Sequence, residues 1–70
     1  MKEIDLHGML HIDVPLEVLN FLYIHHDSFP VKIITGKSDK MRNIVVDILN
    51  KNDYYFDIPA HNPGEIIVYH

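Results

Sequence analysis

Apolar and polar residues follow strand-like patterns along four short segments of the chain. Residues 2–7 and 54–58 alternate with a period of two, which is typical of a β-strand with one buried face. Residues 31–35 are β-branched and apolar on both faces apart from one lysine, as in an inner strand of a sheet. Residues 65–70 follow a turn rich in proline and glycine at 59–64 and predict a fourth strand.

Between the first two predicted strands, apolar residues recur every three or four positions and predict a helix over residues 13–27. Asp13 is well placed to cap the amino end of this helix. The apolar stripe consists of Val14, Val18, Phe21, Leu22 and His25. Leu19 and Tyr23 are expected to widen this stripe where it packs on the core.

A second helix is predicted over residues 39–52, with Ser38 or Asp39 as its cap. Its apolar residues follow the i, i+3, i+4, i+7, i+8 spacing without a gap, which is the clearest amphipathic pattern in the chain. They are Met41, Ile44, Val45, Ile48 and Leu49.

The order of elements is therefore βαβαββ, in a single domain that covers residues 1–70. Helical crossovers make the first three strands mutually parallel, and the short last turn makes the fourth strand antiparallel to the third. We expect an α/β fold of the α+β two-layer sandwich type, with a four-stranded mixed sheet and two helices on one face. A chain of 70 residues leaves room for one small core only.

This topology predicts where a ligand would bind. The carboxyl ends of parallel strands meet at one edge of a sheet, and open α/β sheets bind ligands there. Three segments are expected at that edge, namely His7–Gly8, residues 35–38 and residues 59–61. Both helices also begin there, and the amino end of a helix attracts anions.

Composition narrows the class of protein. The chain has no cysteine, which excludes disulfides and thiol chemistry and fits a reducing compartment. Its first residues lack the apolar core of a signal peptide, and its apolar runs stop at four residues, too few to span a bilayer. We therefore expect a cytoplasmic protein that has no membrane partner.

The charges are distributed unevenly along the chain. The net charge is −4, yet four of the six basic residues fall within eleven positions, at Lys32, Lys37, Lys40 and Arg42. The last three crowd the start of the second helix, where the helix dipole disfavours each cation by on the order of a few tenths of a kcal/mol. A bound phosphate would turn that cost into attraction. Alternatively, the cations form a solvated face that tolerates a weak penalty.

Asp5 and His7 lie two positions apart on the first strand and share a face. A carboxylate beside an imidazole can fix the tautomer of the ring and raise its basicity, as general acid–base chemistry requires. The alternative is a polar pair on the solvent face of the sheet. The position before Gly8, which lets a ligand approach the backbone, favours the functional interpretation. His61, at the same predicted edge, is a candidate second imidazole.

Two further motifs do not support a function. The segment Thr35 to Ser38 resembles the end of a P-loop, but the earlier glycine of that motif is replaced by Val31. His25 and His26 are adjacent on a helix and point about 100° apart, so they do not chelate one ion. Because no ligand set meets a standard metal spacing, we predict neither a metal nor another cofactor.

The motifs together resemble the small MutS-related (Smr) domain family. That family opens with a strand ending in Asp-Leu-His-Gly, which is present here at residues 5–8. Its second strand leads into Ile-Ile-(Thr or His)-Gly-Lys-Gly and then Leu-Arg or Met-Arg, which correspond here to residues 33–38 and to Met41-Arg42. The resemblance covers essentially the whole chain and matches the predicted order of elements.

The resemblance implies a βαβαββ sandwich and nucleic-acid binding, with endonuclease activity on DNA or RNA in several members. It implies that Asp5 and His7 form the catalytic pair and that the glycine loop holds backbone phosphate. Together with the basic cluster, the predicted phosphate-binding set is Gly8, Thr35, Gly36, Lys37, Ser38, Lys40 and Arg42. RNA is favoured over DNA as the partner. The acidic net charge weakens intrinsic affinity, so a ribosome or a larger protein is expected to deliver the substrate.

Two features depart from the family pattern. Ser38 replaces the second glycine of the loop, and the segment before Met41 is about one residue short. The serine side chain either blocks a close approach of the backbone or caps the helix and donates a hydrogen bond to phosphate. Two alternatives therefore remain. One is a nucleic-acid-binding module without catalysis, and the other is a ribosome- or protein-interaction module that uses the open face of the sheet.

Overall fold

A computed structural model describes all residues from 1 to 70, and the elements follow the predicted order. The strands are β1 (Glu3–Asp5), β2 (Val31–Ile34), β3 (Phe56–Asp57) and β4 (Glu65–Val68). The helices are α1 (Val14–Ile24), which follows a short 3₁₀ turn at His11–Asp13, and α2 (Asp39–Lys51). The predicted fold class is confirmed. Neither helix is long and apolar enough to cross a membrane.

The four strands form one mixed sheet in the order β1-β2-β4-β3. β1 and β2 are parallel, with Ile4 aligned to Ile33. β4 lies between β2 and β3 and is antiparallel to both, so β3 runs in the same direction as β1 and β2. The central position of β4 places its first residue, Glu65, opposite Ile34 at the carboxyl end of β2.

The two helices pack against each other and on one face of the sheet. Residues of β2 alternate accordingly, since Val31 and Ile33 are buried whereas Lys32 and Ile34 are half-buried on the other face. The helices contribute Val14, Val18, Phe21 and Leu22 from α1 and Met41, Val45, Ile48 and Leu49 from α2. One continuous apolar core therefore joins both layers.

Helix α1 is shorter at its carboxyl end than the sequence predicted, because it ends at Ile24 rather than Asp27. The backbone leaves the helical conformation at His25, with φ −107° and ψ 23°. Residues 25–28 then form a turn that leads to Pro30. The amide of Ser28 donates to the carbonyl oxygen of His25 at 2.9 Å, so a local turn replaces the last predicted turn of the helix.

The two predicted caps have different outcomes. Asp13 makes no capping hydrogen bond, because the preceding 3₁₀ turn already gives it helical dihedral angles (φ −88°, ψ −15°) instead of the extended conformation that caps adopt. Ser38 is extended, and its Oγ accepts a hydrogen bond from the amide of Met41 at 3.1 Å. The predicted cap of α2 is therefore confirmed.

The outward face of α1 also differs from the prediction. Leu19 and Tyr23 do not widen the core stripe but are exposed to solvent, as are Ile12 and Leu16. Helix α1 thus has apolar residues on two faces, of which the core covers one. Periodicity alone could not separate these faces, because both satisfy the spacing of three and four residues.

We predict that Leu22→Ala lowers the free energy of unfolding by about 2–5 kcal/mol, because this side chain is fully buried in the core. Leu16→Ala is the matched control on the same helix, and its exposed side chain should change stability by less than about 0.5 kcal/mol. Urea denaturation followed by circular dichroism measures both values. Equal losses for the two leucines would contradict the assignment of the buried face.

Candidate functional site

Backbone hydrogen bonds hold the start of α2 against the turn before β4. The carbonyl oxygen of Gly64 accepts from the amide of Thr35 at 2.8 Å and from the amide of Gly36 at 3.2 Å. This contact follows from the pairing of β4 with β2, which brings the start of β4 to the carboxyl end of β2. The loop after β2 (residues 35–38) and the turn before β4 (residues 59–64) therefore form two sides of one site.

Thr35 supports this contact from inside the protein. Its side chain is buried. Its Oγ1 lies 3.3 Å from the carbonyl oxygens of both Gly36 and Gly64. The hydroxyl is therefore used within the fold and does not face a ligand.

Gly64 lies where the two loops approach most closely. A Cβ atom at this position would lie 3.1 Å from the carbonyl oxygen of Gly36 and 3.3 Å from Oδ1 of Asn62. Both distances are shorter than an ordinary van der Waals contact. Gly36 has a positive φ of 70°, a left-handed conformation that glycine adopts readily. The approach of the loops therefore favours glycine at position 64, and the backbone conformation favours it at position 36.

A cleft of about 390 Å³ opens between the two loops. Gly36, Lys37 and Arg42 line it on the side of α2, and all three belong to the predicted phosphate-binding set. Asn62 and Pro63 line the opposite wall. The cleft therefore joins part of the predicted site to a turn that the sequence did not assign to it.

The start of α2 offers hydrogen-bond donors at this cleft. The amides of residues 37–40 have no acceptor within the chain, as is normal for the first turn of a helix. Lys37 and Lys40 are exposed and take part in none of the ion pairs of the structure. Ser38 is engaged through its Oγ with the amide of Met41. Of the two lysines, Lys37 lines the cleft, as does Asp39, whereas Lys40 does not. Free amides and an unpaired lysine are a suitable environment for an anion.

Arg42 has partners within the protein. Its guanidinium group forms an ion pair with Asp39 and donates from Nη1 to the carbonyl oxygen of Pro63 at 3.2 Å. The side chain thereby connects α2 to the turn on the other side of the cleft. Of the three cations at the start of α2, Lys37 and Lys40 are the two without a carboxylate partner.

β1 ends at Asp5, so His7 lies in the turn after the strand and not on it as predicted, and the expected contact between carboxylate and imidazole is not formed. Oδ1 of Asp5 instead accepts a hydrogen bond from the backbone amide of His7 at 2.9 Å. The exposed His7 ring lies beside the loop after β2, with its Cδ2 4.0 Å from where a Cβ atom would lie on Gly36. Asp5 therefore fixes the backbone of residue 7, and the ring is accessible next to the glycine loop.

Gly8 and His61 do not line the cleft. Gly8 has a positive φ of 81° and allows the chain to turn after β1, with open space where a side chain would be. His61 is exposed on the turn before β4. Gly8 follows β1 and His61 follows β3 in the sequence, but neither residue forms part of the cleft wall.

No group of three or more His, Asp or Glu side chains is arranged to hold a metal ion. The two histidines after α1 have local contacts instead. The ring of His25 packs on Phe21 with a centroid distance of 4.8 Å, and Nδ1 of His26 lies 2.9 Å from the carbonyl oxygen of Tyr23. These contacts agree with a structural role for both imidazoles.

Comparisons with protein-family models, with curated proteins and with solved structures each find no match to this chain. The resemblance to the Smr family therefore stays a prediction that depends on two motifs, at residues 5–8 and 33–38. β1 and β2 are adjacent and parallel, so the two motifs end at the same edge of the sheet. That adjacency is the structural basis for considering them one site.

Sequence analysis did not assign Asn62, Pro63 and Gly64 to the site. It placed residues 59–61 at this edge because they follow β3. In the structure β4 lies between β2 and β3, so the residues beside the loop after β2 are those immediately before β4. The Pro63-Gly64 pair was the available signal, because such a pair marks a turn where the backbone can approach closely.

We predict that Gly64→Ala lowers the free energy of unfolding by about 1–3 kcal/mol and shifts the amide resonances of Thr35 and Gly36, because the added methyl group pushes the two loops apart. Gly8→Ala is the control. It strains a left-handed residue at a cost of about 1–2 kcal/mol but has open space around it, so the two resonances should not move. Denaturation and two-dimensional NMR measure these effects. Unshifted resonances in Gly64→Ala would contradict the close approach.

Proposed function

We propose that this protein is an endonuclease of the Smr type, which binds a nucleic-acid backbone and cleaves it, with RNA favoured over DNA. The observation that carries the proposal is the position of the His7 ring beside the loop at Gly36, next to the free amides at the start of α2. A group that can move a proton and donors that can hold a phosphate are the two components that phosphodiester cleavage requires.

In this proposal a backbone phosphate lies at the amino end of α2. The amides of residues 37–40 donate to its oxygens, and the dipole of a helix of 13 residues favours its charge. Lys37 adds a positive charge that no carboxylate neutralises. Asp39, in the same helical turn, is paired with Arg42, which reduces its repulsion of the phosphate.

In RNA the ribose 2′-hydroxyl is the nucleophile. The imidazole of His7 accepts the proton of this hydroxyl as its oxygen attacks the neighbouring phosphorus. The 5′-oxygen of the next nucleotide leaves with the bonding electron pair and takes a proton from water. The hydroxide formed from that water takes the proton held by His7, which restores the neutral imidazole. The products are a 2′,3′-cyclic phosphate and a 5′-hydroxyl end. Lys37 and the helix amides stabilise the charge that develops on the phosphate oxygens.

The contact made by Asp5 favours a second candidate function, a nucleic-acid-binding module without catalysis. The carboxylate is hydrogen-bonded to the backbone amide of His7, so it does not fix the tautomer of the ring. In the enzyme, Asp5 would be a positioning residue that holds the turn at His7. In the module, the same turn would only shape the surface that contacts the phosphate.

The charge of the chain bears on how a substrate reaches the site. With a net charge of −4, the protein attracts nucleic acid weakly at long range. We propose that a ribosome or a larger protein delivers the substrate and that the protein acts in the cytoplasm. The absence of cysteine agrees with a reducing compartment.

We predict that Lys37→Gln weakens binding of a labelled single-stranded RNA about threefold to tenfold and lowers the dependence of log affinity on log salt by about one. Fluorescence anisotropy at several salt concentrations measures both quantities. Lys51→Gln is the matched control, since Lys51 lies at the opposite end of the same helix and is paired with Asp47. Equal losses for the two variants would mean that bulk charge, not a site at Lys37, governs binding.

We predict that His7→Ala lowers the cleavage rate of the same RNA by about 10²–10⁴-fold and changes its affinity less than twofold, because the imidazole acts on the proton and not on binding. Asp5→Asn retains an oxygen acceptor for the amide of His7 and should reduce the rate less than Asp5→Ala does. Rates are measured on gels with labelled RNA, and affinities by anisotropy.

The controls separate the two candidate functions. An RNA with a single 2′-deoxynucleotide on the 5′ side of the cleaved bond should bind normally and resist cleavage there. His61→Ala tests the second imidazole on the turn before β4. Cleavage by His7→Ala at the wild-type rate would overturn the mechanism. Binding without cleavage by the wild-type protein would establish the module instead.

A further inference from the structure

The outward face of α1 carries a line of apolar side chains that the fold does not cover. Ile12 is 84% exposed, Leu16 65%, Leu19 38% and Tyr23 78%. At about 100° per residue, Leu16, Leu19 and Tyr23 fall within about 60° of one another around the axis of α1, and Ile12 lies in the 3₁₀ turn directly before the helix. This set of four residues is termed the α1 stripe.

The α1 stripe lies on the side of the helix away from Val14, Val18 and Phe21, which are buried. Solvent-facing surfaces of helices in globular proteins are ordinarily polar. Two more exposed apolar residues, Leu10 and Ile24, lie near the two ends of the stripe in the sequence. Exposed apolar residues clustered on one helix face are typical of an interaction surface.

The charged side chains of the segment that carries the α1 stripe are of one sign. Residues 3–31 contain no Lys or Arg. Their acidic residues are Glu3, Asp5, Asp13, Glu17 and Asp27. Asp13 and Glu17 are exposed and flank the stripe on one side by their helical spacing. The partner must therefore complement an apolar ridge with a negative border.

This charge pattern decides among the possible occupants. Helices that lie on membranes carry Lys and Arg on their polar face, which α1 lacks. Nucleic acid is repelled by the same acids. A second copy of the chain would bring its own Asp13 and Glu17 to the interface, where like charges oppose each other. A partner surface bordered by Lys and Arg, in contrast, is attracted to Asp13 and Glu17.

We propose that the α1 stripe is a docking surface for a basic amphipathic helix of a partner protein. The apolar side of that helix packs along the stripe, and its lysines or arginines face Asp13 and Glu17. This inference uses none of the residues of the proposed nucleic-acid site. The outcome of its test does not depend on whether the protein has nuclease activity.

The test uses a labelled synthetic peptide of about four helical turns, with leucines at helical spacing and lysines at the remaining positions. Anisotropy should show saturable binding. A peptide with glutamate in place of lysine should bind at least about tenfold more weakly. Amide shifts on titration of the unlabelled lysine peptide should concentrate in residues 10–24. Glu17→Lys should weaken binding severalfold, because it reverses the charge of the border.

The apolar contribution is tested by the double substitution Ile12→Ser with Leu16→Ser, which leaves the charge unchanged. It should weaken binding of the lysine peptide by about tenfold or more. Tyr55→Ser is the matched control, since Tyr55 is 66% exposed and lies beside β3 at the other edge of the sheet. It should alter affinity less than twofold. Superimposable unfolding curves show that the substitutions leave the fold intact.

Several outcomes would overturn the proposal. If the double variant bound the lysine peptide as tightly as the wild type does, the α1 stripe would not be part of the interface. If the lysine and glutamate peptides bound equally tightly, the charge of the border would not select the partner. Sedimentation that shows a dimer lost in the double variant would assign the face to a second copy. Binding to phosphatidylcholine vesicles that the double variant loses would assign it to a membrane.

Discussion

The carbonyl oxygen of Gly64 accepts hydrogen bonds from two consecutive amides, those of Thr35 and Gly36. The loop after β2 and the turn before β4 are joined there, and the remaining contacts depend on that junction. The buried hydroxyl of Thr35 reaches the same oxygen, and Arg42 reaches the carbonyl of Pro63 on the same turn. Because α2 begins directly after the joined loop, the position of its first turn is fixed relative to the cleft, which Lys37 and Asp39 line.

The sequence predicted the helices and strands better than it predicted which of them contact each other. Helix α2 was assigned correctly because its apolar residues occupy one face, whereas α1 has two apolar faces and Leu19 was placed on the wrong one. The predicted turn between β3 and β4 requires these strands to be antiparallel. It does not determine whether β4 lies on the inner or the outer side of β3. That choice brought Gly64 and not His61 against Gly36, and it depends on long-range strand pairing that no local pattern encodes.

Charge counting from sequence has a similar limit. It identified three cations at the start of α2 but not that Arg42 pairs with Asp39. This ion pair is weak, since the Asp39 side chain is 81% exposed and pairs of this kind contribute about 0–1 kcal/mol. Because this ion pair is weak, a phosphate at the start of α2 would compete effectively with the Asp39 carboxylate for the guanidinium group of Arg42. If a phosphate displaced Asp39, Arg42 would stay oriented by its hydrogen bond to the carbonyl oxygen of Pro63.

Acidic and basic residues are concentrated in different parts of the chain. This distribution relates the α1 stripe to the proposed nucleic-acid site. Residues 3–31 carry five acids and no Lys or Arg, whereas residues 32–42 carry four cations and one acid. Each field decays over about 8 Å at physiological salt, so the acids of α1 oppose the approach of RNA chiefly at low ionic strength, where the field reaches further. A basic helix docked on the α1 stripe would neutralise those acids, so under those conditions the complex would capture RNA faster than the isolated chain does.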